Sequence, residues 1–159
     1  MGETTLAVWW AHKVQEGFPD GTLLVNLRGH DREQPLNPSS VLVSFLQALG
    51  IPGARIPTDL DAQVGLYRSS LVGRRVLVVL DNAGSAEQVR PLLPGAAGCV
   101  TLVTSRRALT GLAVSDGARP LSPRLFSRGD AERLLRAVIG DHRVDGEPEA
   151  VARLVDLCA

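Results

Sequence analysis

Lysine is almost missing from this chain: Lys13 is the only one, and every other fixed positive charge is arginine. That bias reads as coding-sequence composition rather than chemistry. Net charge is also missing, with 17 basic residues against 17 acidic. Dedicated nucleic-acid-binding domains carry a strong basic excess, so direct nucleic-acid contact is not expected. Cysteine is scarce. Cys99 falls in a strand pattern and Cys158 in a terminal helix pattern, which predicts two reduced, buried thiols rather than a disulfide. His12, His30 and His142 have no metal-ligand spacing with each other or with the cysteines, so no metal cage is expected. No run of 18 apolar residues and no signal-peptide pattern occurs. Met1-Gly2 resembles a myristoylation start, but Leu6 stands where Ser or Thr is needed. The expectation is a cytoplasmic protein without a membrane segment. No internal repeat is visible.

What the chain does have is apolar content. At 159 residues and 45% apolar it can bury a sizeable core, as one main domain with the start of a second. The strongest local signal is Val76-Leu-Val-Val-Leu80, followed by Asp81-Asn82. A continuous β-branched and aliphatic run without polar alternation fits a strand buried on both faces, as in parallel sheets covered by helices. A carboxylate at the C-terminal end of such a strand sits where open α/β sheets bind ligands. A buried strand that merely stops at an Asp-Asn turn is the alternative.

Around this run the other segments alternate. Leu6, Ala7, Trp10, Ala11 and Val14 form one helical stripe, stopped by Gly17 and Pro19. The two tryptophans are expected to pack at the core and its edge. Gly21–Leu27 predicts a strand. Ser39 or Ser40 is the expected cap of a helix through Leu49, and Asp59 opens another with Leu60, Val64, Tyr67 and Leu71 on one face. Ser85–Leu93 predicts a short helix, Cys99–Val103 a strand, Leu109 a turn, and Ala118–Leu121 a further short strand. Ser127–Val138 and Glu147–Leu157 are amphipathic helix patterns with no strand between them. This order predicts an α/β fold with a parallel sheet between helical layers, followed by a small helical annex.

Three pieces converge on the C-terminal edge of that sheet: Gly2-Glu3-Thr4-Thr5 opening a helix, Asp81, and Ser105-Arg106 after the next strand. A phosphate-binding loop needs backbone N–H groups at a helix start, a lysine for the terminal phosphates and a hydroxyl for magnesium. Gly2, Thr4 and Thr5 match the closing Gly-Lys-Thr-Thr of that loop, with Glu3 in the lysine position.

Longer segments carry a more specific likeness. They are Thr4-Thr5-Leu6-Ala7-Val8, Phe18-Pro19-Asp20-Gly21 with Val25-Asn26-Leu27-Arg28-Gly29, Arg75–Ala83 (RVLVVLDNA), Glu87–Pro94 (EQVRPLLP) and Val103–Arg107 (VTSRR). In these the chain resembles the NB-ARC domain of STAND-type P-loop ATPases, closest to the version in bacterial antibiotic-pathway transcriptional regulators. The resemblance covers essentially the whole chain. It implies a P-loop NTPase-like three-layer core over 1–122, lacking the strand before the phosphate loop, and the first helices of an ARC-type helical subdomain over 123–159. It further implies an ADP/ATP-binding switch for signal transduction and transcription regulation, attached to DNA-binding and helical-repeat domains and capable of self-association. Thr4 and Asp81 would hold magnesium, Thr5 would approach the inner phosphates, Gly2 and Glu3 would lie in the phosphate loop, and Arg106 would sense the terminal phosphate.

Three departures qualify that implication. Glu3 replaces the loop lysine. Each unit-charge interaction is worth about 4 kcal/mol at roughly 4 Å and an effective dielectric near 20. The swap would weaken nucleotide binding by roughly three orders of magnitude or more, unless Glu3 is simply exposed at a frayed end. Asn82 stands where many related ATPases carry a second acid; an amide cannot accept a proton from attacking water, so at most a slow ATPase is expected. The family's central strand would lie before Met1 and its Gly-Leu-Pro-Leu motif after Ala159, which implies a fragment, a differently closed sheet or a strand from a partner. The main alternative is a degenerate NB-ARC fold acting as a protein-interaction scaffold. A small metabolic kinase is disfavoured, because no acceptor site and no base after Asp81 is visible.

Overall fold

Leu77–Asp81 forms the middle strand, β2, of a three-stranded parallel sheet, and all five of its residues are buried. The computed structural model describes residues 2–31, 34–122 and 126–158. Strand β1 (Thr22–Asn26) pairs along one edge of β2 and β3 (Val100–Val103) along the other. The register sets Thr22 opposite Leu77 and Asn26 opposite Asp81, then Leu77 opposite Val100 and Leu80 opposite Val103. With hydrogen-bonded neighbours on both edges and helices on both faces, β2 has no wet side. That is why its sequence does not alternate.

The two faces of β2 pack against different helices. Leu77 and Val79 meet Ala11 of α1 (Glu3–Val14), with Trp10, Val14 and Phe18 around them. Val76, Val78 and Leu80 join the larger cluster with Leu42, Phe45 and Leu46 of α2 (Pro38–Ala48), Tyr67 and Leu71 of α3 (Leu60–Leu71), and Val89 of α4 (Ala86–Val89). The result is a mixed α/β fold in three layers, a P-loop NTPase-like partial fold. Each fully buried Leu or Val here is worth about 1.5–3 kcal/mol.

Local chemistry accounts for the differences from expectation. Leu6 is 51% exposed, outside the α1 stripe, which Ala7 and Ala11 carry. Trp10 packs as expected, whereas Trp9 lies on the surface with the Lys13 ammonium 5.1 Å from its ring centroid. Asn37, not Ser39 or Ser40, caps α2, accepting the Ser39 N–H at 2.9 Å. Pro38 dictates this, since its fixed φ and missing N–H suit the first helical position. Asp59 caps α3 as expected. The helix at Ser85 gives way to a 3-10 turn over Arg90–Leu92, because Pro91 has no N–H to continue the α ladder. The turn near Leu109 is a short helix, α5 (Thr110–Asp116), closed by Gly117 at φ 68°. The expected strand at Ala118–Leu121 does not form: no strand pairs with it, and the Ala118 N–H closes back on the Leu112 carbonyl at 3.1 Å.

The chain divides into two compact units, 1–120 and 121–159. The second consists of α6 (Arg128–Ile139), α7 (Asp141–Gly146) and α8 (Pro148–Cys158). Ala131, Val144, Val151 and Val155 form its core, with Leu135 against them. Two helices were expected, and α7 is the addition, set off by Gly140 at φ 86°. Ser127 caps α6, accepting the Asp130 N–H at 3.2 Å. Cys99 is free and partly buried, its Sγ 3.6 Å from the Arg74 carbonyl, and the Cys158 side chain lies outside the described residues. No helix among the described residues is long and apolar enough to cross a membrane.

Candidate functional site

Asp81 ends β2 and is 7% exposed. Its carboxylate collects hydroxyls from two other elements. Thr4, in the first turn of α1, shares its proton between Asp81 Oδ1 at 2.9 Å and Oδ2 at 3.0 Å, across 77 residues of chain. Thr104, the residue after β3, donates to Oδ1 at 2.5 Å. Thr104 Oγ1 in turn accepts the Asn82 backbone N–H at 2.9 Å. A buried carboxylate requires such donors, and the parallel register supplies them by aligning the ends of β2 and β3.

The backbone beside Asp81 is unusual. Arg28 and Asn82 are the only non-glycine residues with positive φ among the described residues, at 54° and 56°. Each follows the end of one of two adjacent strands. Non-glycine residues in this region cost about 1–2 kcal/mol and persist only where their surroundings hold them. What holds them is visible. The Leu27 N–H donates to the Asp81 carbonyl at 2.8 Å, and the Gly29 N–H to the Asn82 carbonyl at 2.7 Å. Asn82 Nδ2 donates to Asp31 Oδ1 at 2.9 Å and, more weakly, to Asn26 Oδ1 at 3.4 Å. Gly29 must be glycine because a Cβ there would lie 2.0 Å from the Gly84 backbone nitrogen. Buried Gln88 completes the clamp: its Oε1 accepts the Gly84 N–H at 3.0 Å, and its Nε2 donates to the carbonyls of Leu27 at 2.9 Å and Leu36 at 3.0 Å.

Among the described residues, the remaining expected site residues make no side-chain hydrogen bond to this centre. Gly2 is the left-handed residue before α1 at φ 112°, and no side chain caps the first turn. The N–H groups of Glu3, Thr4 and Thr5 therefore open the helix with no intrahelical partner. Glu3 and Thr5 are exposed, and an acid in a first turn is favourable to the helix dipole. Arg106 is exposed two residues beyond Thr104. Its backbone sits in a turn fixed by Ser105 Oγ, which donates to the Ala83 carbonyl at 2.7 Å and accepts the Arg107 N–H at 3.1 Å.

Thr104 and Gln88 were missed in the sequence. The signal for Gln88 was a capping box: Ser85 caps α4 and Gln88 stands three residues on, reaching back to Gly84. Thr104 carried no local signal, only its place at a parallel strand end.

No group of three or more His, Cys, Asp and Glu side chains among the described residues could hold a metal. The centre offers oxygen alone, from one carboxylate and two hydroxyls. That set fits magnesium, which takes one or two protein oxygens and completes its shell with water or phosphate.

The chain is 46% identical over 158 residues, 99% of its length, to the Regulatory protein AfsR of Streptomyces griseus, and equally so to that of Streptomyces coelicolor. It spans 16% of the length of each. No protein-family profile matches the chain.

Proposed function

We propose that the chain is a nucleotide-binding switch segment of a signal-transducing transcriptional regulator, of the NB-ARC type, taking ADP or ATP with magnesium at weakened affinity. The observation that carries this reading is the Thr4–Asp81 pair, with Thr4 Oγ1 2.9 and 3.0 Å from the two carboxylate oxygens at the C-terminal edge of a parallel sheet. A hydroxyl at a helix start beside a strand-end carboxylate is the arrangement by which P-loop proteins hold magnesium. Thr4 and Asp81 would be the magnesium side. The open N–H groups after Gly2, with Thr5, would face the inner phosphates, and Arg106 the terminal phosphate. Bound magnesium would supply the charge neutralisation that the phosphates need. Similarity to regulatory proteins supports the regulator setting. The DNA-binding and helical-repeat domains and self-association are carried over from the NB-ARC resemblance, and a cytoplasmic location rests on the sequence reading alone.

Glu3 sets the affinity. It stands where the resemblance places a lysine, and it is exposed at the helix start. Asn82 offers no proton acceptor, so hydrolysis is slow at most. Thermal-shift series with ADP, ATP and magnesium test the reading. A ligand that binds only the folded state must raise apparent stability, by about 2.7 kcal/mol at a hundredfold excess over Kd. A magnesium-dependent rise that Asp81→Ala abolishes is expected. The same acid at position 3 favours a second reading, a nucleotide-free interaction scaffold, for which no shift would appear at millimolar nucleotide.

A further inference from the structure

The hydrogen bonds around Asn82 form a continuous chain through four elements. Asp31, in the loop after β1, accepts from Asn82 Nδ2 at 2.9 Å. The Asn82 N–H donates to Thr104 Oγ1 at 2.9 Å, Thr104 donates to Asp81 Oδ1 at 2.5 Å, and Thr4 donates to both Asp81 oxygens. The link between the loop and the carboxylate is therefore one residue, Asn82, used at both its side-chain amide and its backbone N–H. That residue is held in the left-handed region at φ 56°. Its carbonyl also accepts the Gly29 N–H at 2.7 Å, so its backbone N–H, backbone carbonyl and side-chain NH2 each engage either the loop or the site.

We infer that Asn82 is a positioning residue that latches the Arg28–Asp31 loop to the Asp81 carboxylate, so that the loop and the orientation of Asp81 change together. A turn cap would need only the left-handed backbone, which asparagine adopts readily. It would not need an amide donor aimed at a carboxylate 51 residues away. Nor would it need the neighbouring strand end to adopt the same left-handed conformation at Arg28. The coupling has direction at every step: Thr104 has one proton, committed to Asp81, so its oxygen is left to accept from Asn82. In the setting of the proposed nucleotide site, the loop after β1 is then the surface that would register the state of the carboxylate.

The test needs no nucleotide, so it stands apart from the binding reading on which that last consequence rests. In the full chain, Asn82→Gly keeps the left-handed backbone and deletes the amide. Asn82→Asp sets a carboxylate against Asp31. Both should raise amide exchange of Gly29 about tenfold and lower the melting midpoint by about 2–4 °C. The double variant Asn82→Asp/Asp31→Asn reverses donor and acceptor and should restore Gly29 protection to within about twofold of wild type. A residue serving only as a turn cap would show no such rescue. Thr104→Val, which does not touch the loop, should also raise Gly29 exchange several-fold. Failure of the swapped pair to rescue, or unchanged Gly29 exchange in Thr104→Val, overturns the latch. If magnesium–ADP raises the wild-type midpoint yet leaves exchange over Leu27–Asp31 unchanged, the latch does not report on the site, while nucleotide binding stands.

Discussion

The unit spanning 1–120 and the unit spanning 121–159 are held together by different forces. In the first, a strand with no exposed residue is buried between two helical layers, and the larger cluster counts Leu27, Leu42, Leu46, Tyr67, Leu71, Leu80 and Leu92 among fully buried side chains. In the second, four small residues, one alanine and three valines, make the core. Around it runs a set of exposed ion pairs: Arg136 to Glu132, Asp141 and Asp145, Arg133 to Asp130, and Arg128 to Asp156. Leu134, Val138, Leu154 and Leu157 remain 48–83% exposed. Apolar burial carries no charge for salt to screen or acid to titrate, whereas surface pairs are screened and titrate. The lesson is that the site is built on the unit whose stability comes from burial, where a carboxylate can be held still.

That contrast can be broken in order of size. Leu80→Ala empties a fully buried position beside Asp81 and should cost about 2–5 kcal/mol in denaturant unfolding of the sheet unit. Gly29→Ala should cost about 3 kcal/mol, since the added Cβ meets the Gly84 backbone and only displacement of a strand end relieves it. Val151→Ala removes two buried methyl equivalents from the small core and should cost about 1.5 kcal/mol, seen as lost helicity while β2 amides stay protected. Acid gives a smaller effect. The Ser127 hydroxyl and then the Arg133 guanidinium hold Asp130 below its ordinary carboxylate range. A depressed folded value means that its stabilisation is complete above the unfolded value near 3.9 and is lost as pH falls through the folded one. Amide protection in α6 should therefore drop below about pH 4 before β2 amides respond. Smallest of all, Arg136→Ala should lower the helicity of the second unit at low salt, and about 1 M salt should erase the difference from wild type.

Sequence made the sheet legible where one physical demand dominated. The run from Val76 to Leu80 fits a strand buried on both faces, and the cap at Asp59 follows from local chemistry. It misled where partners decide. Ala118–Leu121 has strand composition but no strand beside it, so the chain folds back on Leu112 instead. The short helices α5 and α7 escaped notice because seven and six residues are too few to show a period. At the site, Asp81 and Thr4 were visible as residue types at element ends. Thr104 was not, because its role arises from strand register, and the bond from Asn82 to Asp31 joins residues far apart in sequence.

If Thr4 and Asp81 are half of a nucleotide site weakened by Glu3, the charge at position 3 sets the affinity. Calorimetric titration of magnesium–ADP into Glu3→Lys tests it most directly. Binding should be tighter than wild type by roughly three orders of magnitude, from the reversed charge, and should be lost when Asp81→Ala is added. No gain in Glu3→Lys over wild type would contradict it.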